Sequence, residues 1–139
     1  MSLPLFVYGT LRRGCSNDIA RLVPEARLVA TARVLGTLYL VGWYPHLILD
    51  ATADWVTGEI YAVPQAAWPQ LDALEEVVTP NRADGEYFRC ETVVQLEDDS
   101  TVAAVVYQGN PAVLPTTKPI PHGDWARYAR EHGVTRSAR

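Results

Sequence analysis

The chain has 139 residues, 48% of them hydrophobic and 20% charged, which suits one domain with its own core and excludes wholesale disorder. Twelve basic side chains against sixteen acidic ones leave a net charge of −4, so the positive field that draws in phosphate backbones is missing and a nucleic-acid binder is disfavoured. No apolar run approaches the roughly 20 residues a helix needs to cross a bilayer, and two cysteines make no disulfide framework, so a reducing cytoplasm away from membranes is the expected setting.

Met1-Ser2-Leu3-Pro4-Leu5 has no basic stretch ahead of a long apolar run, so no secretion signal is expected. Leu3 to Tyr8 is a short apolar run stopped by Gly9, which reads as a buried strand. Thr10 to Ser16, with Gly14 and two arginines, reads as a loop. Asn17 is placed to cap a short helix that runs through Leu22 and is ended by Pro24. Val29 to Leu40 reads as a strand, with Gly36 marking a bulge or a close approach. A turn over Gly42 to Pro45 leads to a short strand, His46 to Leu49, and Trp55 to Val63 suits another strand.

Pro64 then opens a helix through about Val77, with Pro69 in its first turn, where a missing N–H is tolerated. After a polar turn over Asn81 to Glu86, Tyr87 to Leu96 and Thr101 to Tyr107 flank Glu97 to Ser100 as a hairpin. Pro111, Pro115, Pro119 and Pro121 force an irregular crossing, and Trp125 to Glu131 suits a last short helix. One domain is expected over residues 1–132, with 133–139 as a flexible tail. Strand runs dominate and helices interrupt them irregularly, which favours an α+β fold over a doubly wound parallel sheet.

Two segments can carry chemistry. In Tyr8-Gly9-Thr10-Leu11-Arg12-Arg13-Gly14, a glycine directly after a buried strand lets the chain turn sharply and aim successive N–H groups at one spot, enough to hold a carboxylate or an oxyanion. The competing reading is an ordinary strand-ending turn with two solvated arginines. In the helix, Ala67, Trp68, Leu71 and Leu74 form an apolar stripe, and Glu75 follows Leu71 by four residues, so it projects near that stripe. A carboxylate leaning toward a core loses hydration, and its raised pKa suits proton transfer near neutral pH. The competing reading is a glutamate at the stripe's edge reaching water. Glu76 points well away and Asp72 sits further round.

The remaining candidates carry less. Cys15 lies beside Arg13, which can lower a thiol pKa, but no histidine is near it in sequence. His46, His122 and His132 have no paired spacing, so no metal site is expected. Glu59, inside a strand, either pairs with an arginine or faces solvent. Tyr8, Tyr87 and Tyr107 begin or end strand runs, where tyrosines usually pack but can also orient a ligand at a barrel mouth.

Taken together, the motifs resemble the γ-glutamylcyclotransferase-like family. Tyr8-Gly9-Thr10-Leu11 looks like its Tyr-Gly-[Ser/Thr]-Leu loop, and Gly36-Thr37-Leu38-Tyr39, Tyr44-Pro45 and Val56-Thr57-Gly58-Glu59-Ile60-Tyr61 follow in its order. Leu71-Asp72-Ala73-Leu74-Glu75 is similar to its Leu-Asp-x-x-Glu helix, Gly85-Glu86-Tyr87-Phe88-Arg89 to the next strand, and Gly123-Asp124-Trp125 to a segment near the end of many bacterial members. The resemblance implies a small mixed β-barrel flanked by short helices, with one cavity at the barrel mouth. It implies that Tyr8, Gly9, Thr10 and Leu11 bind the substrate's α-amino-acid end, that Glu75 is the general acid/base and that Tyr87 lines the pocket. It also implies a γ-glutamyl amide substrate and no cofactor; a homodimer is left open. Glu76 stands where the family often has glycine, and the stretch from Val77 to Asp84 departs from its usual continuation, which bears on the leaving group. A non-catalytic module binding an amino-acid-like ligand on the same fold is the alternative.

Overall fold

The computed structural model describes residues 3–9, 11–15, 18–41, 44–74, 87–112 and 114–132. The polar turn expected over Asn81 to Glu86 and the tail expected over 133–139 lie outside them. The apolar run near the N-terminus has no polar face to offer water, and its centre, Leu5–Val7 (β1), is buried at all three positions. Both edges of β1 are occupied: it pairs antiparallel with β4 (Trp55–Ala62) and parallel with β6 (Thr101–Gly109). A strand covered on every side reads as a continuous apolar run rather than an alternating one.

The long strand β2 (Arg27–Val41) reaches three partners. It pairs with β4 from Arg27 to Leu35, with β5 (Tyr87–Leu96) at Ala32 and Arg33, and with β3 (Tyr44–Leu49) from Gly36 to Val41. The sheet order β3-β2-β4-β1-β6-β5, with β5 returning to β2, closes a five-stranded mixed barrel from which β3 branches. Closure leaves the five barrel strands without an open edge for aggregation. Gly36 is a close approach rather than a bulge, since a side chain there would stand 2.7 Å from the Ile48 carbonyl oxygen. The register irregularity falls instead between Leu28 and Ala30.

The hairpin of β5 and β6 holds unbroken register from Tyr87↔Gly109 to Gln95↔Thr101. Its turn puts Asp99 in the left-handed region, at φ 69°, while Asp98 accepts a hydrogen bond from the Ser100 N–H. The proline-rich crossing lies along β2: Leu40 N–H donates to the Lys118 carbonyl and Ile120 N–H to the Leu38 carbonyl, each at 2.8 Å.

The helices among the described residues are short. α1 (Ile19–Leu22) is capped by Asp18, whose side chain accepts from Ala20 N–H; the expected cap, Asn17, lies outside the described residues. A 3₁₀ turn over Gln65–Ala67 precedes α2 (Trp68–Leu74), so the helix expected from Pro64 begins as a tighter coil. α3 is Trp125–His132. None of these is long and apolar enough to cross a membrane. The alternation along β1 separates two apolar clusters. Leu5 and Val7 join Leu11, Ile19, Trp68, Leu71, Tyr87 and Tyr107, while Phe6 and Tyr8 join residues from every other strand.

Candidate active site

The turn after β1 stands where the strand leaves the core. Gly9 runs so close to β3 that a side chain on it would stand 2.8 Å from Pro45 Cγ. Pro45 is also approached from β5, because the Tyr87 hydroxyl donates to its carbonyl at 2.9 Å. Tyr8 points inward: its hydroxyl donates to the Tyr107 carbonyl at 2.7 Å and accepts from Leu47 N–H at 3.2 Å. Leu11 is buried, and its carbonyl accepts from Ile19 N–H, tying the turn to α1. Tyr8, Gly9 and Tyr87 therefore each meet β3, whereas the Leu11 carbonyl bonds to α1. Thr10 and Glu75 lie outside the described residues.

The main-chain donors of the turn divide into two sets. Arg12 N–H donates to the Gly9 carbonyl, Arg13 N–H to Glu59, Gly14 N–H to Asp18 and Cys15 N–H to the Arg12 carbonyl. Gly14 completes the fold-back with φ +80°, a conformation that favours glycine. The N–H groups of Gly9 and Leu11 meet no acceptor among the described residues. Buried main-chain donors are nearly always paired, so two unengaged ones in a single turn mark a place for a ligand's oxygens.

Arg12 is not a solvated side chain. Its Nε lies 2.7 Å from Glu59 Oε2 and its Nη1 2.8 Å from Asp124 Oδ1, with Arg12 and Glu59 side chains each only 11% exposed. Burial alone would lower the Arg12 pKa, but the two carboxylates outweigh it and raise it. Burial would likewise raise the Asp124 carboxyl, yet the Arg127 N–H and the Arg12 guanidinium hold it below the usual carboxylate range. Cys15 does not gain the lowered pKa that a neighbouring arginine can give. Burial pushes its thiol up against the opposing charge of Arg12, and Glu59 adds to the rise, which disfavours the thiolate.

Of the expected apolar stripe, Ala67 in the 3₁₀ turn and Trp68 and Leu71 on α2 are buried, Leu71 completely. Asp72 is a residue sequence reasoning passed over. Its Oδ1 accepts from the Tyr107 hydroxyl at 2.6 Å, and Oδ2 lies 3.4 Å from Arg89 Nη1. Arg89 also stands over the Trp68 ring at 5.2 Å. The signal available in sequence was that Asp72 follows Trp68 by one helical turn and so shares its face.

Two clefts of about 300 and 520 Å³ open beside the β2–β5 seam, around Arg33 and Gln95 and around Trp55 and Val93. Neither is lined by Tyr8, Gly9, Leu11 or Tyr87.

Residues 5–127 match the family described as "Gamma-glutamyl cyclotransferase, AIG2-like". The chain is 33% identical over 130 residues, 92% of its length and 78% of the relative's, to the γ-L-glutamyl-butirosin B γ-glutamyl cyclotransferase of Niallia circulans. An AIG2-like protein of Mus musculus shares the fold at a TM-score of 0.71 and 23% identity, covering 99% of this chain and 96% of that one. YkqA of Bacillus subtilis superposes with a TM-score of 0.74 at 22% identity; the alignment covers 98% of this chain but only 44% of YkqA. With the closed mixed barrel and the family match both running through nearly its whole length, this chain belongs to the γ-glutamyl cyclotransferase, AIG2-like family.

Proposed function

We propose that this protein converts a γ-glutamyl amide into 5-oxoproline and a free amine. Glu75 serves as general acid/base, the main chain of Gly9, Thr10 and Leu11 binds the substrate's α-carboxylate, and Tyr8 and Tyr87 shape the pocket. The observation that carries the reading is the pair of unengaged N–H groups at Gly9 and Leu11. They occur in the turn that approaches Pro45, to which Tyr87 is bonded. Family membership supplies the reaction class.

The chemistry asks little of the protein beyond geometry and proton transfer. The substrate's α-amine attacks its own γ-carbonyl carbon, forming the new ring C–N bond and a tetrahedral intermediate. The old amide C–N bond then breaks, and the departing nitrogen takes a proton. Intramolecular attack in a well-oriented substrate is worth an effective molarity of roughly 10⁵ M or more. At neutral pH the amine is protonated and cannot attack, so a base must first accept its proton. A carboxyl group that takes this proton can return it to the leaving amine. Two N–H donors gripping the α-carboxylate would hold the adjacent amine against the carbonyl carbon.

The reading is tested by incubating the purified protein with a panel of γ-glutamyl amides and following 5-oxoproline by mass spectrometry. The panel varies the amine: amino acids, a lysine ε-amine, and butirosin B, which the Niallia relative's name carries in its γ-L-glutamyl form. Release of 5-oxoproline from at least one is expected, and the preferred amine identifies the leaving group. Binding of 5-oxoproline with no turnover of any amide would make the protein a binding module instead.

A further inference from the structure

We infer that Arg12, Glu59 and Asp124 are positioning residues that set substrate affinity by holding the turn after β1 in its ligand-ready shape; this rests on the function proposed above. Glu59 on β4 grips the turn twice, by Arg12 Nε at 2.7 Å and by Arg13 N–H at 3.0 Å. Asp124, at the start of α3, takes the other arm of the same guanidinium at 2.8 Å while also accepting from Arg127 N–H. Gly123 is fixed in turn, its carbonyl accepting from Thr57 N–H on β4. One buried guanidinium thus binds a barrel strand and a helix start to the segment that presents the Gly9 and Leu11 N–H groups.

The geometry explains why a charged pair occurs here. The main-chain donors of residues 12 to 15 are all used within the turn or on Glu59 and Asp18, which folds the chain back, while those of residues 9 and 11 meet no acceptor among the described residues. A planar guanidinium with several fixed donors can satisfy two carboxylates at once, which an ammonium cannot do with the same rigidity. Removing Glu59 leaves Arg12 without its inner partner and frees Arg13 N–H to bond elsewhere, so the turn can relax into shapes that mis-aim the two free donors. None of the three side chains needs to touch the substrate.

The test compares a γ-glutamyl amide with the matching 4-aminobutanoyl amide, which keeps the amine and the scissile amide but lacks the α-carboxylate. In the parent protein the carboxylate makes the first substrate much the better one. Glu59→Gln and Arg12→Gln are expected to raise KM for the γ-glutamyl amide about tenfold or more, as small misplacements in a binding site do. They should leave kcat and the turnover of the 4-aminobutanoyl amide within about twofold, so the preference between the two substrates shrinks. Arg12→Lys is expected to fall between, restoring charge but not both contacts. Asp124→Asn should show a smaller shift of the same kind. A role in folding alone would lower the yield of active protein and depress both substrates equally, and that result, or an unchanged KM, overturns the inference while leaving the proposed reaction standing. A parent protein that releases 5-oxoproline from nothing overturns the reaction and this inference together.

Discussion

Single side chains in this protein act through what the barrel puts opposite them. His46 has the polarity of a surface residue and no exposure at all. Its Nε2 lies 2.9 Å from the Pro115 carbonyl oxygen, which fixes that nitrogen as the donor and leaves Nδ1 as a lone pair without a partner. Gly109 makes the room, since a side chain there would collide with Nδ1 of the imidazole. Burial lowers the His46 pKa, outweighing the Pro115 contact, so the folded state prefers neutral imidazole. The unfolded chain therefore binds more protons below its ordinary histidine pKa. Stability is complete above about pH 6.5 and falls as pH drops below it, with a slope approaching 1.4 kcal/mol per pH unit until the folded pKa is reached. Urea midpoints at pH 7.5, 6 and 5 should show this fall in the parent and a flatter profile in His46→Leu. Residue scale is also where the proton-transfer proposal is decided. Glu75→Gln keeps the shape and removes the base, so turnover should drop about 10²- to 10⁴-fold with product affinity retained. Glu76→Gln should lose little; the reverse ranking would mean that the wrong carboxylate was chosen.

Among the elements, α2 is held by side chains from two strands. Arg89 and Tyr107 are directly paired across β5 and β6, so both project from one face of the hairpin, and both reach Asp72. Arg89 covers Trp68 as well, one turn earlier on the same helix face. With only seven residues, a helix of this length does not stand alone in water. Its position comes from the buried Leu71 and this polar clamp. Tyr107→Phe should destabilise the fold by about 1.5–3 kcal/mol, the range for a hydrogen bond to a charged group, as read from denaturant midpoints. Leu71→Ala should cost about 2–5 kcal/mol by opening a cavity. Because Glu75 follows Asp72 by three positions in the chain, Tyr107→Phe should also lower kcat for 5-oxoproline release. An unchanged kcat would show that the clamp holds the helix but does not orient its end.

For the whole molecule, the barrel is closed unevenly. β2 and β4 share register over the whole of β4, and β5 and β6 over nine residue pairs, whereas β2 and β5 pair only at Ala32↔Leu96 and Arg33↔Gln95. That narrow seam is reinforced by Arg33, which bonds Gln95 at 3.1 Å and stacks over Trp55 at 4.2 Å. Local opening follows the region with the fewest shared hydrogen bonds. Hydrogen exchange should therefore find the amides at this seam opening before those of the β5–β6 hairpin or the β2–β4 ladder. Arg33→Ala should speed seam exchange further while leaving exchange in the turn after β1 unchanged. Uniform protection around the barrel would refute the uneven closure.

Local pattern alone was enough for the elements. The apolar run of β1 and the stripe Ala67, Trp68, Leu71 are buried as their local pattern requires, and the polar stretch between the runs of β5 and β6 is the turn of a hairpin in continuous register. Family motifs spaced through the chain likewise imply the mixed barrel that the structure has. What no local pattern contains is partnership across long separations. Arg12 meets Glu59 and Asp124 over 47 and 112 residues, and Tyr107 meets Asp72 over 35. These pairs exist because barrel closure brings distant strands within hydrogen-bond reach, where lost hydration must be replaced by a specific partner. Amino-acid order therefore determined which segments become strands and helices. Only tertiary structure decided that a loop arginine is a buried strut and that a helix aspartate is clamped, because desolvation and charge pairing are properties of the assembled neighbourhood.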